Sequence, residues 1–200
     1  MMRCAYCDEL EKGFFEFEGH NYGSRILFES DNFVVFPSLG QIVEGYLLIA
    51  PKKHYIGVSG IPKELYPELE EVCEKVRNRL LDVYGRPLFF EHGPHKESKG
   101  GCCIDHAHIH AIPVQTDLFP DLAKHFEPKE IVSFNDLKIG APYFYYESNL
   151  GKRFVFKLPA FVSSQYIRQV IAINLGIPER WDWRTYPYID EIKRTIRKLK

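Results

Sequence analysis

His106-Ala107-His108-Ile109-His110-Ala111-Ile112 sets histidine at every second position, with alanine or isoleucine between. Successive side chains of a strand point to opposite faces, so the three imidazoles share one face and Ala107, Ile109 and Ala111 turn to the core. Neighbouring histidines on that face stand about 6.5–7 Å apart at Cα. That spacing suits action on one phosphate and its leaving group. Near neutral pH an imidazole is a nucleophile when neutral and an acid when charged. One ring could attack phosphorus, splitting a hard displacement into two steps, while its neighbour protonates the leaving group. A metal cluster, a solvated face and hydrogen-bonded core histidines are the competing readings. Strict alternation, followed by Ile112-Pro113, favours catalysis.

Working outward, the sequence predicts a strand from Cys103 to Val114, preceded by a polar, glycine-rich loop over 92–101 and a strand at Leu88–Glu91. Leu65, Leu69, Val72, Val76, Leu80 and Val83 recur at spacings of three and four, which predicts one long helix from Pro62 to Tyr84. Cys73 inside it reads as a buried core thiol. Further strands are expected at Gly13–Glu18, Arg25–Glu29, Phe33–Phe36 and Gly45–Ala50. Strands, helix, strands gives an α+β fold with an antiparallel sheet. After residue 120 a hairpin is expected from Tyr143–Glu147 and Arg153–Leu158. Two helices follow, one capped by Ser163-Ser164 and one starting near Tyr188.

The 200 residues carry 45% hydrophobic and 26% charged side chains, ordinary for a globular chain. A net charge of -1 excludes a global positive field, so any nucleic-acid contact would be local. No segment approaches the roughly 18 apolar residues of a membrane span, and the first residues lack an apolar signal core. A cytoplasmic location without membrane contact is the expectation. In a reducing compartment the pair Cys4-x-x-Cys7 reads as a zinc pair, a redox pair or idle thiols. The redox reading lacks the βαβ setting it needs.

The triad resembles the histidine-triad (HIT) superfamily of nucleotide hydrolases and transferases. Gly45–Pro51 with Lys52-Lys53-His54 is similar to that family's strand end, and Phe89-Phe90-Glu91-His92-Gly93 to its strand-to-glycine loop. The resemblance implies a HIT-like sheet over residues 1–120, with His108 as the nucleophile that becomes nucleotidylated and His110 assisting the leaving group. A histidine at the third position points to hydrolysis. The resemblance also implies that Phe36, Ser38, Glu91, Gly93 and Cys103 bind the nucleotide. Ser38 stands where the family has an aspartate, Glu91 where it has asparagine, and Cys102-Cys103 where it has glutamine and a hydroxyl residue. From zinc-containing members it implies a structural zinc held by Cys4, Cys7, His54 and His106. Residues 121–200, with Phe161–Ala172 and Leu175–Arg184, resemble the C-terminal module of CwfJ-like proteins and are expected to pack on the first part. The partners implied are a nucleotide or nucleotide conjugate and a second copy of the chain. RNA is not carried over from the CwfJ likeness. A zinc-stabilised nucleotide- or RNA-binding module without turnover is the alternative.

Overall fold

The computed structural model describes residues 4–93, 104, 106–137, 140–159 and 162–200. Its centre is an eight-stranded sheet in which every neighbouring pair is antiparallel. The α+β class expected from the sequence holds. The strands of this sheet are β3 (Phe28–Glu29), β4 (Phe33–Pro37), β5 (Leu47–Pro51), β6 (Leu88–Gly93), β7 (Ile109–Ile112), β8 (Pro128–Ile131), β9 (Tyr143–Glu147) and β10 (Arg153–Lys157). Their spatial order is β3-β4-β5-β7-β6-β9-β10-β8. A separate two-stranded sheet pairs β1 (Glu16–Phe17) with β2 (His20–Asn21).

Period-two alternation divides the sheet's side chains between two cores. Val35, Leu47, Ile49, Phe89, Ile109 and Ala111 face the long helix α2 (Tyr66–Val83), meeting Leu69, Val72, Val76 and Leu80. This is the apolar stripe the sequence predicts, and Cys73 is buried within it. Val83, the last residue of the stripe, is 43% exposed. Val34, Phe36, Leu48, Phe90 and Ile112 face the other way. They pack on Tyr6 of α1 (Ala5–Lys12), Leu122 of α3 (Phe119–Ala123) and Ile167 and Ile171 of α4 (Tyr166–Asn174). The C-terminal helix α5 (Ile189–Leu199) sends Leu199 into the first core.

Two local expectations differ. The strand predicted from Cys103 to Val114 is regular only over Ile109–Ile112, and His106 and His108 precede it. Their backbone is engaged otherwise: Ala107 N–H donates to Tyr55 O at 2.6 Å, and His106 N–H to Ile104 O. The helix at 166 starts without a side-chain cap; the Ser163 carbonyl accepts the Tyr166 N–H instead.

Residues beyond 120 join the same sheet. β9 pairs with the edge of β6 over Phe89–Gly93, and buried ion pairs brace the join. Arg77 of α2 binds Glu147 of β9, and Arg153 of β10 binds both Glu147 (2.8 Å) and Glu70 (2.7 Å). Among the described residues no helix is long and apolar enough to cross a membrane.

Candidate functional site

α1 brings two thiols against the first histidine of the triad. Cys4 Sγ lies 3.4 Å from His106 Nδ1, and Cys7 Sγ lies 3.4 Å from His54 Nδ1 and 3.5 Å from His106 Nδ1. The four ligand atoms all fall within 4.8 Å of one another. A tetrahedral ion with metal–sulfur bonds of about 2.3 Å and metal–nitrogen bonds of about 2.0 Å separates S and N by about 3.5 Å, so this donor set fits a closed metal site. His106 is buried, and its Nε2–H donates to Pro51 O at 2.8 Å. That bond turns the Nδ1 lone pair toward the thiols, the usual outer-shell support of a ligating imidazole.

The same residue orients the next histidine. His108 lies 2.6 Å from the His106 carbonyl through Nδ1, and a carbonyl can only accept, so Nδ1 carries the proton. Nε2 therefore holds the lone pair. Burial pulls His108 down to about 4, which keeps the ring neutral near pH 7. Tyr6 meets the ring edge-on at 5.5 Å.

His110 opens β7, with its ring centroid 4.7 Å from that of His108. Phe90, its cross-strand partner, stacks on it at 4.3 Å and 3°. Its Nδ1 lies 2.6 Å from the Tyr46 hydroxyl. Burial holds His110 well below the usual histidine value, with the His108 and Arg168 charges adding to it.

A cavity of about 420 Å³ opens on these rings, lined among others by His106, His108, His110, Tyr6, Ser38 and Arg168. That volume suits a small ligand such as a nucleotide. One wall comes from the C-terminal part through Ser164, Gln165, Ile167, Arg168 and Trp183. Gln165 is buried there, and among the described residues its Oε1 has no hydrogen-bond partner.

The residues expected to bind a nucleotide are placed unevenly. Ser38 lines the cavity and its hydroxyl donates to Leu39 O. Phe36 is buried against Tyr6 (5.3 Å) and under the Arg25 guanidinium (4.6 Å). Glu91 also borders the cavity, but its carboxylate is engaged on the other side of β6, where it accepts the Val58 N–H at 2.8 Å and the Tyr143 hydroxyl at 2.6 Å. Gly93 lies flat against Tyr143: a Cβ there would stand 2.1 Å from the phenol ring, so it reads as a packing glycine. Cys103 lies outside the described residues. Sequence reasoning passed over Tyr6, Tyr46 and Phe90. For Phe90 a signal was available, since strand pairing sets it across from His110.

No protein-family model matches the chain. An uncharacterised HIT-like protein of Saccharolobus solfataricus is 25% identical over 130 residues, covering 64% of this chain and 84% of its own length. CWF19-like protein 1 of Xenopus laevis is 23% identical over 171 residues, 77% of this chain but 30% of its own length. The chain thus spans under a third of that relative, and a match of this extent necessarily runs past residue 120. Among solved structures, a hypothetical histidine triad nucleotide-binding protein of Sulfolobus tokodaii is 20% identical, covers 57% of this chain and 71% of its own, and has a TM-score of 0.45. The chain is therefore similar to histidine-triad proteins in the part that carries the three histidines, and to CWF19-like protein 1 along most of its length.

Proposed function

We propose that the protein is a nucleotide hydrolase or nucleotidyl transferase that attacks the α-phosphorus of its substrate through His108. The observation that carries this reading is the hydrogen bond from His108 Nδ1–H to the His106 carbonyl, which leaves the Nε2 lone pair on a neutral ring at the cavity. A nucleotidyl-histidine forms at Nε2, and water or another acceptor resolves it. His110 helps the leaving group depart. Of the residues proposed to contact the nucleotide, Ser38 and Glu91 border the cavity, and the Glu91 carboxylate is already engaged by Val58 and Tyr143. Zinc is the metal that two thiols and two imidazoles suit, and its role at Cys4, Cys7, His54 and His106 is structural. His106 then serves twice: its ring joins the metal cluster and its carbonyl aims the nucleophile.

The test is incubation with a dinucleoside polyphosphate and, separately, with an adenosine phosphoramidate, scoring release of AMP. Intact mass measurement after a brief incubation should show a nucleotidyl adduct. In His108→Ala both adduct and turnover should vanish while the fold persists. Unchanged turnover in that variant would falsify the assignment.

A further inference from the structure

Arg168 is a buried cation for which the scheme above has no task. It sits on α4, 5% exposed, in the cavity wall. Its Nε donates to Trp181 O at 2.8 Å and its Nη2 to Gly40 O at 2.7 Å, and its guanidinium carbon stands 5.2 Å from the centre of the Tyr46 ring. Both acceptors are neutral, and among the described residues no carboxylate pairs with it. A guanidinium stays charged at any working pH, and a buried charge without a counterion is costly unless a ligand supplies one. The placement is built rather than incidental. Gly40, at φ +67°, leaves room for nothing else: a Cβ there would stand 2.4 Å from Trp183 Cβ and 2.8 Å from Arg168 Nη2.

We propose that Arg168 forms a subsite for a second phosphate, on the leaving-group side of the triad. The substrates are then nucleoside di- or polyphosphate derivatives cleaved at a phosphoric anhydride, not phosphoramidates. This rests on the reading of His108 as the nucleophile. The side of the triad is set by Tyr46, whose ring lies beside Arg168 and whose hydroxyl meets His110 Nδ1 at 2.6 Å.

Burial against the Phe90 ring, beside the fixed charge of Arg168, keeps the His110 ring neutral, with no spare proton to give. An amine leaving a P–N bond needs one, whereas a phosphate leaving a P–O–P bridge does not. In the first step the His108 Nε2–P bond forms as the bridging P–O bond breaks. The electron pair departs on the terminal phosphate, whose charge meets Arg168, and no proton moves. In the second, a water oxygen bonds to phosphorus, the P–N pair returns to Nε2, and the water proton passes to solvent.

Calorimetric titration of the full chain with ADP and with AMP tests the subsite. ADP should bind at least about tenfold more tightly, the effect of one added phosphate charge facing a desolvated cation. Arg168→Gln should bring ADP down to the affinity of AMP, and Arg168→Lys should recover part of the difference. Equal affinities in the wild-type protein, or an ADP preference that survives in Arg168→Gln, would overturn the proposal. The wild-type ratio decides the matter even if the glutamine variant does not fold. The two readings fail separately. An ADP preference without any His108 adduct sinks the covalent reading and keeps the subsite, while an adduct without ADP preference does the reverse.

Discussion

The Glu91 carboxylate lies 2% exposed between the Val58 N–H and the Tyr143 hydroxyl, and among the described residues no cation pairs with it. Burial raises its pKa from 4.5 to about 7 against the pull of those two hydrogen bonds. The folded state therefore holds a proton that the unfolded chain releases earlier. Its stabilising effect is full below about pH 4.5 and is lost as pH rises through about 7. The whole effect amounts to about 3 kcal/mol. Urea denaturation of wild type and Glu91→Gln between pH 4.5 and 8 should show the wild-type midpoint falling relative to the variant. Parallel curves would contradict the account. Tyr46 is a second single residue with a measurable task. Tyr46→Phe leaves His110 Nδ1 without its partner, and kcat should fall about tenfold with KM little changed. Loss confined to KM would place Tyr46 in binding instead.

α1 is an element that its sequence alone does not stabilise. It has eight residues, no side-chain N-cap and only Tyr6 buried, well short of what an isolated helix needs. Its anchors are Tyr6, the thiols at the metal cluster, and Glu9, which binds Arg25 at 2.7 Å. Cys7→Ser should lose the bound metal, as counted by elemental analysis, and lower unfolding free energy by about 2 kcal/mol or more. Amide exchange should speed up over residues 5–12, and also around 106–108, because His106 links the thiol cluster to His108. Exchange unchanged at 106–108 would disprove that link. This element also marks where sequence reading stopped. The resemblance to zinc-containing histidine-triad proteins named the four ligands, where the Cys4-x-x-Cys7 spacing alone left several readings open, but eight residues with a weak apolar stripe gave no helix signal against the aromatic run that follows. α2 was legible because its stripe is long and regular. β7 was overextended because alternation of His106 and His108 reads as strand, while their hydrogen bonds go to Tyr55 and to His108's own ring. The triad itself was legible from side-chain chemistry. Tyr46 was not, since only the pairing of β5 with β7 brings it to His110.

Across the molecule, the first 120 residues and the rest share one sheet rather than abutting as separate layers. The sequence showed a β9–β10 hairpin but not which edge it would take, because register depends on partners far along the chain. β6 is the element that decides this: one edge serves β7 and the histidines, the other is filled by β9. Truncation after residue 120 would bare that second edge and leave Arg77 without Glu147. The shortened chain should self-associate or precipitate in size-exclusion chromatography with light scattering; a well-behaved monomer would refute this. The intact chain carries the neighbour of β6 within itself. Dilution cannot separate a strand from one tethered to it, so the strand beside the histidines keeps its support at nanomolar concentration as well as at millimolar. Whatever the protein binds in the cell, the integrity of its triad is a property of one polypeptide and not of its abundance.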